Sequence, residues 1–274
     1  MREPRRLLGR RGTLLVLGFI ALLVLLALAA PLATSYDPLS GGGDSLLPPL
    51  TQGHWLGTDD LGRDVWTRVV YGARVSLTVG VASALAAVVV GVVVGALAGY
   101  FGGWIDTLLM RIAEFFQTLP RFVVALIVIA VFGTSLFKMI LVIAALAWPQ
   151  LARVVRASVS SLARSQFVDA ARVAGLGDGA IIVQEILPNV AAPIIVLGSL
   201  DIAMAILIEA SLSFFGLGDP DHVSWGGMLN DAQQYLRSAW WMSAFPGAAI
   251  ALTVLCFNLL GDALNEALDP RGDR

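Results

Sequence analysis

The chain has 274 residues, of which 57% are hydrophobic and only 14% charged, with a net charge of −2. An ordinary soluble domain carries roughly 25% charge, so this composition and a mean hydropathy of +0.80 exclude a conventional soluble enzyme and a disordered polymer alike. The charge balance leaves no basic excess to neutralise nucleic-acid phosphates, and the single cysteine, Cys256, excludes an internal disulfide.

A hydrocarbon core of ~30 Å asks for ~20 mostly apolar residues per crossing helix, and six stretches meet or approach that demand. The first runs from Thr13 to Leu32 behind a basic head of Arg2, Arg5, Arg6, Arg10 and Arg11. Ala27-Leu28-Ala29 imitates a cleavage site, but the apolar stretch outruns a signal-peptide core, so an uncleaved anchor is expected. The second, Val75 to Tyr100, contains Gly91 and Gly95, a small-xxx-small pair that lets another helix approach closely. The third, Ile112 to Gly133, and the fourth, Leu136 to Val155, hold Pro120 and Pro149, each a predicted kink. The fifth, Ala191 to Phe214, carries Asp201 and Glu209, and the sixth runs from Ala239 to Gly261.

Six crossings put both termini on one side. Cytoplasmic loops retain Lys and Arg during insertion. An inside N-terminus leaves eleven inner positive charges (Arg2, Arg5, Arg6, Arg10, Arg11, Arg153, Arg156, Arg164, Arg172, Arg271, Arg274) against five outer ones (Arg63, Arg68, Arg74, Lys138, Arg237). The expectation is an all-α integral membrane protein, N-in and C-in. Residues 1–35 form the basic head and first span, 36–74 an outer segment, and 75–274 a five-helix core with an inner loop at 156–190. The outer stretch from Asp60 to Arg74 is predicted to form an amphipathic helix on the membrane or a neighbour, with Asp64 and Arg68 paired at i,i+4.

The inner loop carries helical periodicity with glycine punctuation. Ser165 is placed to cap a short helix through Ala174 that stops at Gly175; Asp178 is placed to cap a second through Leu187, followed by Pro188. On the first helix Ala170 and Ala171, beside Asp169 and Arg172, offer a low-profile surface for another protein's groove. Charges within the spans are costly. Arg111 and Glu114 are spaced to pair at i,i+3, while Arg121, Asp201 and Glu209 are candidates for a translocation path or for packing. His54 and His222 have no second His or Cys at ligand spacing. Nucleotide hydrolysis needs a Gly-rich loop and a lysine on the phosphates, and the one lysine, Lys138, follows no such loop.

Asp169-Ala170-Ala171, then Gly175, then Ile186-Leu187-Pro188 resembles the EAA motif of permease subunits in binding-protein-dependent ABC importers. His54-Trp55-Leu56-Gly57-Thr58-Asp59-Asp60-Leu61-Gly62-Arg63-Asp64 is similar to the HPLGTDxLGRD opening of the dipeptide and oligopeptide subgroup. Glu209 through Gly218 is similar to its EASLSFLGLG, and Gly261-Asp262 through Leu268-Asp269-Pro270-Arg271 to its GDxLRDxLDPR end. Asp169 stands where the family has Glu, Trp55 where it has Pro, and Glu266 where Arg is usual.

The resemblance implies a type I importer permease fold and a coupling loop built by Asp169, Ala170, Ala171, Gly175, Leu187 and Pro188. It implies a second, similar permease, two ATP-binding subunits or domains that use ATP and Mg, and an extracytoplasmic solute-binding protein as partners. No cofactor is expected on this chain itself. Peptides are the implied cargo, with nickel or another small solute as the alternative in the same machinery. Two rivals come from other classes. An ATP-independent secondary transporter would also use intramembrane carboxylates. An intramembrane aspartyl protease would need Asp37 of Tyr36-Asp37 and Asp219 of Gly216-Leu217-Gly218-Asp219 to share a proton.

Overall fold

The computed structural model describes residues 10–51 and 53–268. Most of the basic head, the side chains of Arg10 and Arg11, and the Asp269-Pro270-Arg271 end lie outside the described residues. Among the described residues every regular element is helical; two isolated bridges, Thr51 with His54 and Thr58 with Asp64, pin the outer segment. An apolar chain in lipid must satisfy each backbone N–H within its own segment, which helices do.

Helix α1 spans Arg10–Leu28, and a helical turn at Ala30–Ala33 leads into the outer segment. Helix α2, Val65–Phe101, contains no proline over 37 residues, and at 1.5 Å per residue it measures about 55 Å, well beyond a ~30 Å bilayer core. The amphipathic helix expected from Asp60 to Arg74 is therefore not a separate element: from Val65 onward it is the outer end of α2. Asp64 caps α2 by accepting the Thr67 amide at 2.7 Å. The expected pairing of Asp64 with Arg68 is also replaced. The Asp64 carboxylate bonds the His54 ring at 2.8 Å, and Arg68 turns to Asp59 and Asp231.

The third span was predicted as one kinked helix, and it is broken. Helix α3, Gly103–Thr118, and helix α4, Arg121–Phe132, meet at 83°. Pro120 supplies no N–H and holds Leu119 extended (φ −81°, ψ 133°), so the helix cannot be continued through it. Helix α5, Leu136–Leu162, tolerates Pro149 and runs past the expected end at Val155. Helix α6 is Gln166–Val173.

The next run is continuous where a stop at Pro188 was expected. A helical turn at Asp178–Ala180, a wide turn at Ile181–Ile186 and a tight turn at Leu187–Val190 pass the proline by changing pitch, then enter helix α7, Ala191–Leu212. Helix α8, Trp225–Ala232, lies in the stretch between the run Asp178–Leu217 and helix α9, Trp241–Leu268, which ends the described chain.

Val65–Phe101, Leu136–Leu162, the run Asp178–Leu217 and Trp241–Leu268 are each long and apolar enough to cross a membrane, and the bent α3–α4 pair makes a fifth crossing if counted as one; the apolar part of α1, Gly12–Leu28, is shorter. The most extensive packing joins α2 to α5. Gly91 and Gly95 sit in that contact, and Gly99 adds a third step. A Cβ on Gly95 would stand 2.5 Å from the Ala152 carbonyl oxygen, and one on Gly99 2.6 Å from that of Arg156. Backbone meets backbone here because no side chain intervenes.

Candidate functional site

The inner loop is built on one buried anchor. Val168 of α6 is fully buried against a cluster that includes Val159, Ile181 and Ile186, so α6 is fixed by a single apolar side while its other side faces outward. That outward side carries Asp169, Ala170, Arg172 and Val173, the last 91% exposed. Ala171 is half-buried beside Leu176. Ser165 occupies the cap position, but its hydroxyl donates to the Leu162 carbonyl at 2.5 Å, so the expected side-chain cap is absent and its own carbonyl takes the Val168 amide instead.

Gly175 ends α6 as expected. Its φ is +86°, the Leu176 amide reaches back to the Ala171 carbonyl at 3.1 Å, and this six-to-one bond closes the helix. A Cβ on Gly175 would meet nothing within 4 Å, so conformation and not space demands glycine. Asp178 is not a cap, as had been expected, because Gly177 takes that position. Its carboxylate accepts the Tyr100 hydroxyl at 2.6 Å, and Arg172 lies 5.4 Å from the Tyr100 ring centre. The inner end of α2 is thereby clasped to both ends of the 174–177 corner. Sequence reasoning missed Tyr100, because nothing local to it signals a partner 78 residues away. Leu187 is half-buried on the same cluster as Val168, and Pro188 is exposed.

The charges of the membrane segments fall into separate groups. Arg111 and Glu114 pair at 3.2 Å on α3 and are 77% and 55% exposed. Arg121 donates to Gln150 at 3.0 Å, and Arg153 donates to Gln117 at 2.5 Å, so two polar rungs cross from the α3–α4 break to α5. Asp201 is half-buried on α7 and feels the charge of Arg121. Glu209 stands apart from it: fully buried, it accepts the hydroxyls of Ser76 at 2.9 Å and Ser213 at 2.8 Å, and so ties α7 to α2. The hydrogen-bond partners of Glu209 are hydroxyls on α2 and just after α7, away from Arg121.

The outer segment holds a network that the motif spelling alone did not reveal. Asp59 accepts Arg63 Nε at 2.6 Å and also bonds Arg68, while Asp231 of α8 accepts both guanidinium groups, at 3.1 and 3.0 Å. Arg68 and Asp59 are buried. Thr58 donates to the Asp44 carbonyl at 2.8 Å, and the Trp241 indole donates to the Thr58 carbonyl at 3.1 Å. This stretch is a fixed cover on the outer end of α2 and α9.

The protease reading fails on geometry. Asp37 is held below its ordinary value by the Leu39 and Ser40 amides and the Ser40 side chain. Partial burial opposes ionisation of Asp219, but the Leu136 amide, the His222 ring and the Asp221 amide outweigh it and hold that carboxyl low as well. Asp37 accepts the Leu39 and Ser40 amides at 2.8 and 3.3 Å, and Asp219 accepts the Leu136 and Asp221 amides, both at 3.0 Å, so each carboxylate is committed to backbone donors and not to a shared proton.

Comparison with known proteins decides the family. Residues 91–274 match the family described as binding-protein-dependent transport system inner membrane component. The chain belongs to that family. Its relatives include the dipeptide transport system permease protein DppC of Alkalihalophilus pseudofirmus, 42% identical over 265 residues, covering 96% of this chain and 87% of the relative. DppC of Escherichia coli K12 is 44% identical over 268 residues, covering 95% of this chain and 89% of the relative. The oligopeptide transport system permease protein OppC of the same strain is 39% identical over 270 residues, covering 97% and 89%. The chain is thus an inner-membrane permease component.

Proposed function

We propose that this permease forms half of the translocation path of an ATP-driven importer of dipeptides and oligopeptides. The reading is carried by one observation above others: relatives named for dipeptide and oligopeptide transport are 39% to 44% identical across at least 95% of the chain. Six spans are assigned, in the order α1, α2, the α3–α4 pair, α5, the run Asp178–Leu217, and α9, with both termini inside. The excess of arginine on the α5–α6 side supports that orientation.

Two ATP-binding subunits bind and hydrolyse ATP with Mg, and this chain supplies no hydrolytic site. The exposed face of Asp169, Ala170 and Arg172, with Gly175, Leu187 and Pro188 shaping the corner, docks on one of them. Movement of α6 passes to α2 through the Tyr100–Asp178 clasp and to α5 through the buried Val168 cluster. Such a shift biases two packings of the bundle, one open inward and one outward. A second permease completes the path, and an extracytoplasmic binding protein delivers the cargo. Arg121 and Asp201, with the Gln117–Arg153 and Arg121–Gln150 rungs, line or gate the path, because charges at membrane depth need water or protein, not lipid. Arg111 and Glu114 pair at its inner margin, and Glu209 is a packing residue.

The test is uptake of a labelled dipeptide by the assembled complex in proteoliposomes. Import that requires ATP, the binding protein and this chain supports the reading. Import by this chain alone without ATP contradicts it.

A further inference from the structure

At the outer mouth a cavity of about 430 Å³ opens between the outer end of α2, the start of α5 and the loop ahead of α8. Ligand pockets for small molecules run from about 300 to 1,000 Å³, so the space suits a short peptide and not a folded domain. Its walls are fixed. Asp219 accepts the Leu136 amide at 3.0 Å and lies 3.2 Å from the His222 ring, which holds the loop against α5. On the other side the Trp225 indole donates to the Val69 carbonyl at 2.8 Å, and a Cβ on Gly72 would stand 2.7 Å from the Trp225 ring.

Two opposite charges line this cavity, and neither has an ion-pair partner among the described residues. Arg74 is exposed, rests over the Tyr71 ring at 5.8 Å, and takes part in no ion pair among the described residues. Asp221 is exposed, and its one polar contact among the described residues is through its backbone N–H to Asp219. Neighbouring charges are otherwise satisfied: Asp219 and His222 by each other, Arg68 by Asp59 and Asp231. Pro38, Tyr71 and Leu136 add apolar wall between the two charges' elements.

From this arrangement we infer that the cavity is a subsite on the permease itself for the two ends of a short zwitterionic peptide, with Arg74 taking the terminal carboxylate and Asp221 the terminal ammonium. A guanidinium fork matches a carboxylate in two parallel hydrogen bonds. The inference rests on the peptide reading above, and it adds a point of recognition after the binding protein has released its cargo.

The test uses the assembled complex in lipid nanodiscs without its binding protein, titrated with trialanine, trialanine amide and N-acetyl-trialanine. Trialanine binds the unmodified complex. Arg74→Gln weakens it by about tenfold, the loss of one charge-assisted contact, and leaves the amide unchanged. Asp221→Asn does the same for the free amine and leaves the N-acetyl form unchanged. Equal binding of trialanine by all three proteins overturns the inference, as does an equal loss of trialanine and trialanine amide in Arg74→Gln. Peptide uptake by a complete complex that binds no trialanine overturns the subsite while sparing the peptide reading; absence of peptide uptake by the complete, unmodified complex overturns both.

Discussion

Single residues decide whether helices α2 and α5 can touch. A side chain at Gly95 has no room beside the Ala152 carbonyl and Val155, whereas one at Gly18 on α1 meets nothing within 4 Å. Gly95→Leu is expected to cost about 1–3 kcal/mol or more through overpacking and to reduce the yield of monodisperse complex on size exclusion, while Gly18→Leu leaves it unchanged. Gly91 and Gly95 were legible in the sequence because small-residue spacing has a direct physical meaning. Arg68 was not: its helical spacing pointed to Asp64, but Asp64 had already been claimed by the α2 cap and His54, and the acids that hold Arg68 come from residues 59 and 231. Asp219 carries a pH dependence. Its carboxyl lies below the ordinary value of 3.8, so its contribution is present above that value and disappears as pH falls through the folded-state value. Thermal melting of the complex should show Asp219→Asn less stable than the parent at pH 6, with the gap closing as pH drops below about 4.

At the scale of elements, the fold depends on where helices are broken and where they are not. Spans were visible from charge-free length, which lipid imposes directly. Their junctions were not, because proline at 120 breaks a helix, at 149 sits within one, and at 188 is absorbed by a change of pitch; the difference lies in packing around each site. The α6 corner was legible in its helix and its Gly175 stop, but its clasp to α2 joins residues far apart in sequence. Tyr100→Phe removes the hydroxyl that Asp178 accepts and is expected to leave the fold intact while lowering peptide imported per ATP hydrolysed; a constant ratio rules the clasp out as a transmission element. The outer network behaves as one unit. Arg68→Met leaves Asp59 and Asp231 short of a partner and should destabilise the outer cover by about 3–5 kcal/mol, read as faster proteolysis of residues 34–64, and the double variant with Asp231→Asn should lose less than the sum of the single changes.

The whole molecule divides its few charges by side. The arginine–glutamine pairs at the α3–α4 break lie away from the Asp59–Arg63–Arg68–Asp231 network, and the Arg74 cavity lies beside the far end of α2 from the α6 corner. On the reading proposed above, the exposed side of α6 on its buried Val168 anchor acts as a lever moved by other subunits. The most direct measurement is ATP-dependent dipeptide uptake by the reconstituted complex carrying Ala170→Arg, a change on the exposed side of α6, scored together with co-purification of the ATP-binding subunits. The account predicts that the variant permease still folds and inserts, loses most of its ATP-binding subunits, and imports at a few per cent of the parent rate or less. Full co-purification and unchanged uptake would contradict it.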